Sequence, residues 1–126
     1  MNKTRILAVN DVVILLRMLD IHVENQGIPV LIDKATNGQE AVEKAKKENY
    51  DAILMNLEMP VMNGWQATQA IRKLGVTTPI IAWSGHDKDY VVEACMKVGM
   101  DDYLEIAKGD FLNDIFDALE RVGVRV

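Results

Sequence analysis

The chain has 126 residues, enough for one domain and too few for two, and a core of that size buries well over half of the chain's surface without help from disulfides or metal. Hydrophobic residues make up 49% and charged residues 26%, the balance of a soluble globular protein, and the net charge of −5 argues against DNA or RNA as main partner, because phosphate binding needs clustered Lys and Arg. The single cysteine, Cys95, excludes an internal disulfide and suits a reducing cytoplasm; no apolar run approaches the ~20 residues that span a bilayer, and the N-terminal run is expected to be a strand, not a signal peptide.

The elements follow in alternation. Residues 5–10 (RILAVN) form a continuous apolar run ending in polar residues, which predicts a buried strand. Asp11 is expected to cap a helix running to about Asn25, with Val12, Leu15, Leu16, Leu19 and Val23 at helical spacing and Gly27 as its stop. Residues 29–33 predict a second strand. Asn37, with Glu40 three residues on, predicts a capped helix bearing Ala41, Val42 and Ala45 on one face. Residues 51–56 (DAILMN) predict a third strand, residues 59–64 (MPVMNG) a tight loop, and the following stretch to Leu74 a helix stopped by Gly75. A fourth strand is predicted over 79–84, a helix from Asp87 to Val98 before Gly99, and a short fifth strand over 101–106. The last helix is expected to start at Asp110 with Phe111, Leu112, Ile115, Phe116 and Leu119 inward. Five strands alternating with five helices imply a parallel sheet with right-handed crossovers and helices on both faces. Ligands in such folds sit beyond the carboxyl ends of the strands, so Asn10, Asp11, Asn56, Ser84 and Ile106 are expected to converge on one pocket.

Residues 56–64 (NLEMPVMNG), 78–85 (TPIIAWSG) and 97–104 (KVGMDDYL), in that order and spacing, resemble the receiver domains of two-component response regulators. The resemblance covers about residues 4–122, a single domain across 1–126, and is nearest to receivers fused to hybrid sensor kinases. It implies a flavodoxin-like sheet in the order 2-1-3-4-5. It also implies a chemistry: an Asp ending the third strand accepts a phosphoryl group, an acidic pair after the first strand holds Mg²⁺, a Ser or Thr ends the fourth strand, and Lys-Pro ends the fifth. Here those positions are Asn56, Asn10-Asp11, Ser84 and Ile106-Ala107.

The departures remove the chemistry. Attack on phosphorus needs a carboxylate, and an Asn amide oxygen gives no acyl phosphate. Phosphoryl transfer depends on charge neutralisation, and Ile106 brings no cation. Mg²⁺ binds through carboxylates, of which only Asp11 and Glu58 remain, so its binding is expected to be weak or lost. Asn56 alone would match a deliberate block, but four departures together describe a natural degenerate receiver. The expected function is phosphorylation-independent: a non-enzymatic protein–protein interaction module in signalling, partnered by a sensor kinase, a phosphotransfer protein, another signalling domain or a second copy. A nucleotide-type small-molecule sensor and a receiver phosphorylated at Glu58 or Asp11 are the alternatives.

Several residues carry two readings. Asp11 is a residual metal ligand or, more plainly, a helix cap. Ser84 keeps the hydroxyl of the family's switch position or, more plainly, bonds locally, and Lys108 reaches back toward the pocket or, more plainly, is a solvated lysine at a helix start. Tyr103 falls where many receivers carry a switching aromatic, at the centre of the usual output surface, or is a half-buried strand residue. The first helix carries Val13, Ile14, Met18 and Ile21 beyond what a core stripe explains, which marks a partner or dimer surface. Met55, Met59 and Met62 are placed around the pocket, and Trp65 and Trp83 are read as packing residues, Trp83 near it. His22 and His86 are read as surface residues and Cys95 as a small core residue.

Overall fold

The apolar runs become five parallel strands because each is buried on both faces, and the amphipathic stretches become the helices that cover them. The computed structural model describes residues 3–86, 88–106 and 111–126. In chain order the elements are β1 (Thr4–Val9), α1 (Val13–Gln26), β2 (Val30–Ala35), α2 (Gly38–Lys47), β3 (Ala52–Met55), α3 (Gly64–Lys73), β4 (Ile80–Ser84), α4 (Lys88–Val98), β5 (Asp102–Glu105) and α5 (Phe111–Arg121). The sheet order is β2-β1-β3-β4-β5, all parallel, as expected. Boundaries shift by one or two residues where strand ends turn into loops. The expectations for Asp87, Ala107, Lys108, Asp110 and the Phe111 side chain fall outside the described residues.

Alternation along β1 divides the core. Leu7 and Val9 point to the side covered by α2, α3 and α4, where Ala41, Ile71 and Cys95 are buried. Ile6 and Ala8 point to the side of α1 and α5, with Leu16, Leu19, Ile115 and Leu119. Burial pushes the Cys95 thiol above its usual range, against a smaller opposing contribution from Trp65, which suits a core residue and not a reactive thiol.

Helix ends follow local chemistry. Asn37 accepts from the Glu40 amide, while Glu40 reaches back to Thr36. Asn63 and Gln66 form a reciprocal capping box on α3. Gly27 ends α1 in the left-handed region at φ 62°. The start of α1 differs from expectation. Val12 is the capping residue and Asp11 lies before it, with no side-chain cap; instead Asn10 Oδ1 accepts from the Val12 amide at 2.9 Å. Val12 is also exposed instead of joining the core stripe, because it belongs to the turn and not to the helical face.

Candidate functional site

Three loops deliver the pocket, those that follow β1, β3 and β4. Asn10 follows β1 and is fully buried, Asn56 follows β3 and is half-buried, and Ser84 ends β4 at 2% exposure. Asp11 and Glu58 stand exposed at the mouth, and His86 comes in from the β4–α4 loop. Together these six line a cavity of about 390 Å³. Gly64 keeps the β3–α3 loop closed over it: its amide donates to the Leu57 carbonyl, and a Cβ there would collide with the Asn56 carbonyl. Only glycine permits that approach.

Asn56 is the centre of the hydrogen bonding. Its Oδ1 accepts from the Leu57 amide at 3.0 Å, which fixes the orientation of the side-chain amide. Its Nδ2 then donates to Asp11 Oδ1 and to the Glu58 carbonyl, both at 3.0 Å, with Asn10 Oδ1 at 3.4 Å. Three oxygens thus converge on one neutral N–H₂ group. Asn10 Nδ2 is buried without a hydrogen-bond partner among the described residues.

His86 joins the pocket to the sheet's edge. Its Nε2 lies 3.1 Å from Glu58 Oε2, its amide donates to Ser84 Oγ at 3.2 Å, and its carbonyl accepts from the Tyr103 hydroxyl at 2.7 Å. His86 is half-buried and tied into this network, where its sequence context suggests a plain surface residue. The signal that could have found it is its place two residues beyond Ser84, on a loop that must pass over the pocket. Ser84 does act in local hydrogen bonding, as expected.

Tyr103 is turned in. At 5% exposure it packs among the residues under α4, so it is not a free element of a partner surface. The reason is the waiting His86 carbonyl, which satisfies its hydroxyl under cover. Ile106 sits half-buried against the α1–α5 core, its amide donating to the Ser84 carbonyl. No Lys or Arg stands among the described residues that line the pocket. Met55 is a fully buried core residue, and Met59 and Met62 pack on the same core instead of lining the cavity. Trp83 is buried close by, its indole donating to the Val9 carbonyl at 3.0 Å. His22 stacks on Phe116, a partner that no spacing in the sequence announced.

The apolar residues that α1 carries beyond its core stripe are turned to solvent. Val13 and Ile14 are 62% and 61% exposed, Met18 and Ile21 37% and 46%. No helix among the described residues is long and apolar enough to cross a membrane.

A doubly wound parallel sheet with its pocket at the carboxyl ends of β1, β3 and β4 defines the class of three-layered α/β domains that use this edge for binding. The response regulator receiver domain model matches residues 6–116, and the chain belongs to that family. It is 37% identical over 100 residues to the autoinducer 1 sensor kinase/phosphatase LuxN of Vibrio harveyi, covering 79% of this chain and 11% of LuxN. It is 35% identical over 103 residues to the transcriptional regulatory protein ResD of Bacillus subtilis, covering 82% of this chain and 42% of ResD. The chain therefore spans less than half the length of both. Among solved structures, the receiver domain of the sensor histidine kinase PA1611 from Pseudomonas aeruginosa superposes with a TM-score of 0.81 at 30% identity, over 95% of this chain and 97% of that one. That structure has a magnesium ion coordinated in its active-site cleft. The chain is thus a receiver domain of two-component signalling.

Proposed function

We propose that this receiver works by protein–protein contact in the cytoplasm, without accepting a phosphoryl group and without catalysis of its own. The observation that supports it is the Asn56 amide, whose Nδ2 donates at 3.0 Å to Asp11 Oδ1 and to the Glu58 carbonyl. An amide in that position offers no carboxylate to attack phosphorus. It also spends the oxygens a metal would need. A Mg²⁺ ion, which the family leads one to expect here, fits this donor set poorly: a hard cation wants anionic oxygens, two positions are neutral amides, and of the remaining carboxylates Asp11 accepts from Asn56 and Glu58 lies 3.1 Å from His86.

The partner surface of this reading is α1, with Val13, Ile14 and Met18 presented to solvent; a sensor kinase, a phosphotransfer protein or a second copy would cover it. Amide NMR tests the pocket. Mg²⁺ and then beryllofluoride, a phosphoryl mimic, are expected to leave the Asn10, Asn56 and Ser84 resonances in place. Saturable shifts running from Asn56 to Tyr103 would overturn the reading.

A further inference from the structure

The exposed residues of α1 have an order that a general apolar patch would not need. Ile14, Met18, Ile21 and Asn25 follow at spacings of four, three and four, the seam of a two-stranded coiled coil. All four are exposed, while the opposite face buries Leu16 and Leu19 in the core. The helix therefore packs on the sheet with one face and offers a finished seam on the other.

Charges flank this seam on one side only. Arg17 precedes Met18, and Glu24 precedes Asn25, one heptad apart and both exposed. Neither is held by another side chain among the described residues, whereas Asp20, on a different face, is paired with Lys34. The residues flanking the seam on its other side are Leu15 and His22, both half-buried. In a parallel pair of such helices each charged flank would face the partner's Leu15 and His22 side and find no opposite charge. In an antiparallel pair each charged flank faces its own copy. Arg17 then meets Glu24 of the second molecule, and Glu24 meets its Arg17. Met18 packs against the second molecule's Ile21, and Ile14 against its Asn25. The pattern is self-complementary in one orientation.

We infer that two copies of this domain pair through α1 in an antiparallel, twofold-symmetric contact. The inference rests on reading α1 as an interface and names a second copy as its occupant. A helix of 14 residues supplies about two heptads, and a polar Asn25 in the seam fixes register at a cost in affinity. The association is therefore weak, and the two copies separate on dilution.

Sedimentation velocity over a concentration series of the full 126-residue chain reads it. The wild-type chain is expected to pass from monomer to dimer as concentration rises. Arg17→Glu and Glu24→Arg, each alone, turn both symmetry-related pairs repulsive and are expected to weaken the dimer roughly tenfold. Mixed together, the two variants are expected to associate as well as wild type, because each supplies the charge the other lacks. Both side chains are exposed, and circular dichroism checks that the fold is kept. A wild-type chain that stays monomeric throughout overturns the inference and leaves α1 to another protein. Association indifferent to either reversal and to Ile21→Asp overturns it by placing the contact elsewhere. Failure of the mixture to recover overturns the antiparallel arrangement. None of these outcomes touches the pocket, whose reading stands or falls on the Mg²⁺ and beryllofluoride titration.

Discussion

The two ends of the sheet solve the same problem with different chemistry. At the amino ends of the strands polar burial is balanced by charge. Arg5 bridges Asp33 and Glu48 at 3.2 and 3.1 Å and lies 5.3 Å from the Tyr50 ring centroid, and its hydrogen bond to Glu48 holds the guanidinium's proton still more firmly. Arg72 donates to the carbonyls of Val76, Thr78 and Gly99 and to Asp101. At the carboxyl ends the bridging group is the neutral Asn56 amide, and a buried Asn10 nitrogen is left over. The comparison teaches that the amino-end loops are held by guanidinium groups, whereas the carboxyl-end loops are bridged by a neutral amide.

The comparison breaks most visibly at Arg72. Arg72→Leu keeps apolar bulk but strips three carbonyls of their donor, and is expected to cost about 2–4 kcal/mol in urea denaturation. A loss below 1 kcal/mol would mean that water takes over the guanidinium's role. At the other end, Asn56→Asp replaces three donated hydrogen bonds by a carboxylate beside Asp11 and is expected to cost about 1–3 kcal/mol at neutral pH. The like charge raises the new carboxyl's pKa, so stability is present in acid and lost as pH rises through that raised value. Mg²⁺ is expected to return part of the loss in this variant and to leave the wild-type melting temperature unchanged; the opposite result would restore a metal site to the natural sequence.

Tyr50 sharpens the charged end. Its burial, and then its 2.7 Å hydrogen bond to Asp33, push the hydroxyl's pKa well above the ordinary value. A raised folded-state value means stability that is full below the unfolded value near 10 and lost as pH climbs beyond it. Tyr50→Phe should cost about 1 kcal/mol at pH 7 and flatten that alkaline decline, which denaturation at a series of pH values would read. The smallest effect is expected at Val61, which is 82% exposed with φ 71° in the loop next to the pocket. Asn tolerates that backbone better than a β-branched residue, so Val61→Asn should stabilise by about 0.5–1 kcal/mol. No gain would mean that the loop relaxes around Val61 without strain.

Much of this was legible in the chain itself. Apolar runs at strand length and amphipathic runs at helix length are local signals, and they determined five strands, five helices, their order and the two-sided core. The absence of an acceptor carboxylate at residue 56 and of a cation at residue 106 was equally plain, because it depends on residue identity alone. The polar contacts were a different matter. Asn56 and Asp11 are 45 residues apart, and Tyr103 and the His86 carbonyl 17. Whether such atoms meet depends on how separate loops stack above the sheet, and no periodicity records that. Only the tertiary structure decided that Asn10 and not Asp11 serves the start of α1, that Tyr103 is enclosed, and that Met55 belongs to the core. Hydrophobic pattern is written residue by residue, whereas a hydrogen bond needs two partners brought within about 3 Å, and that distance exists only once the chain has folded.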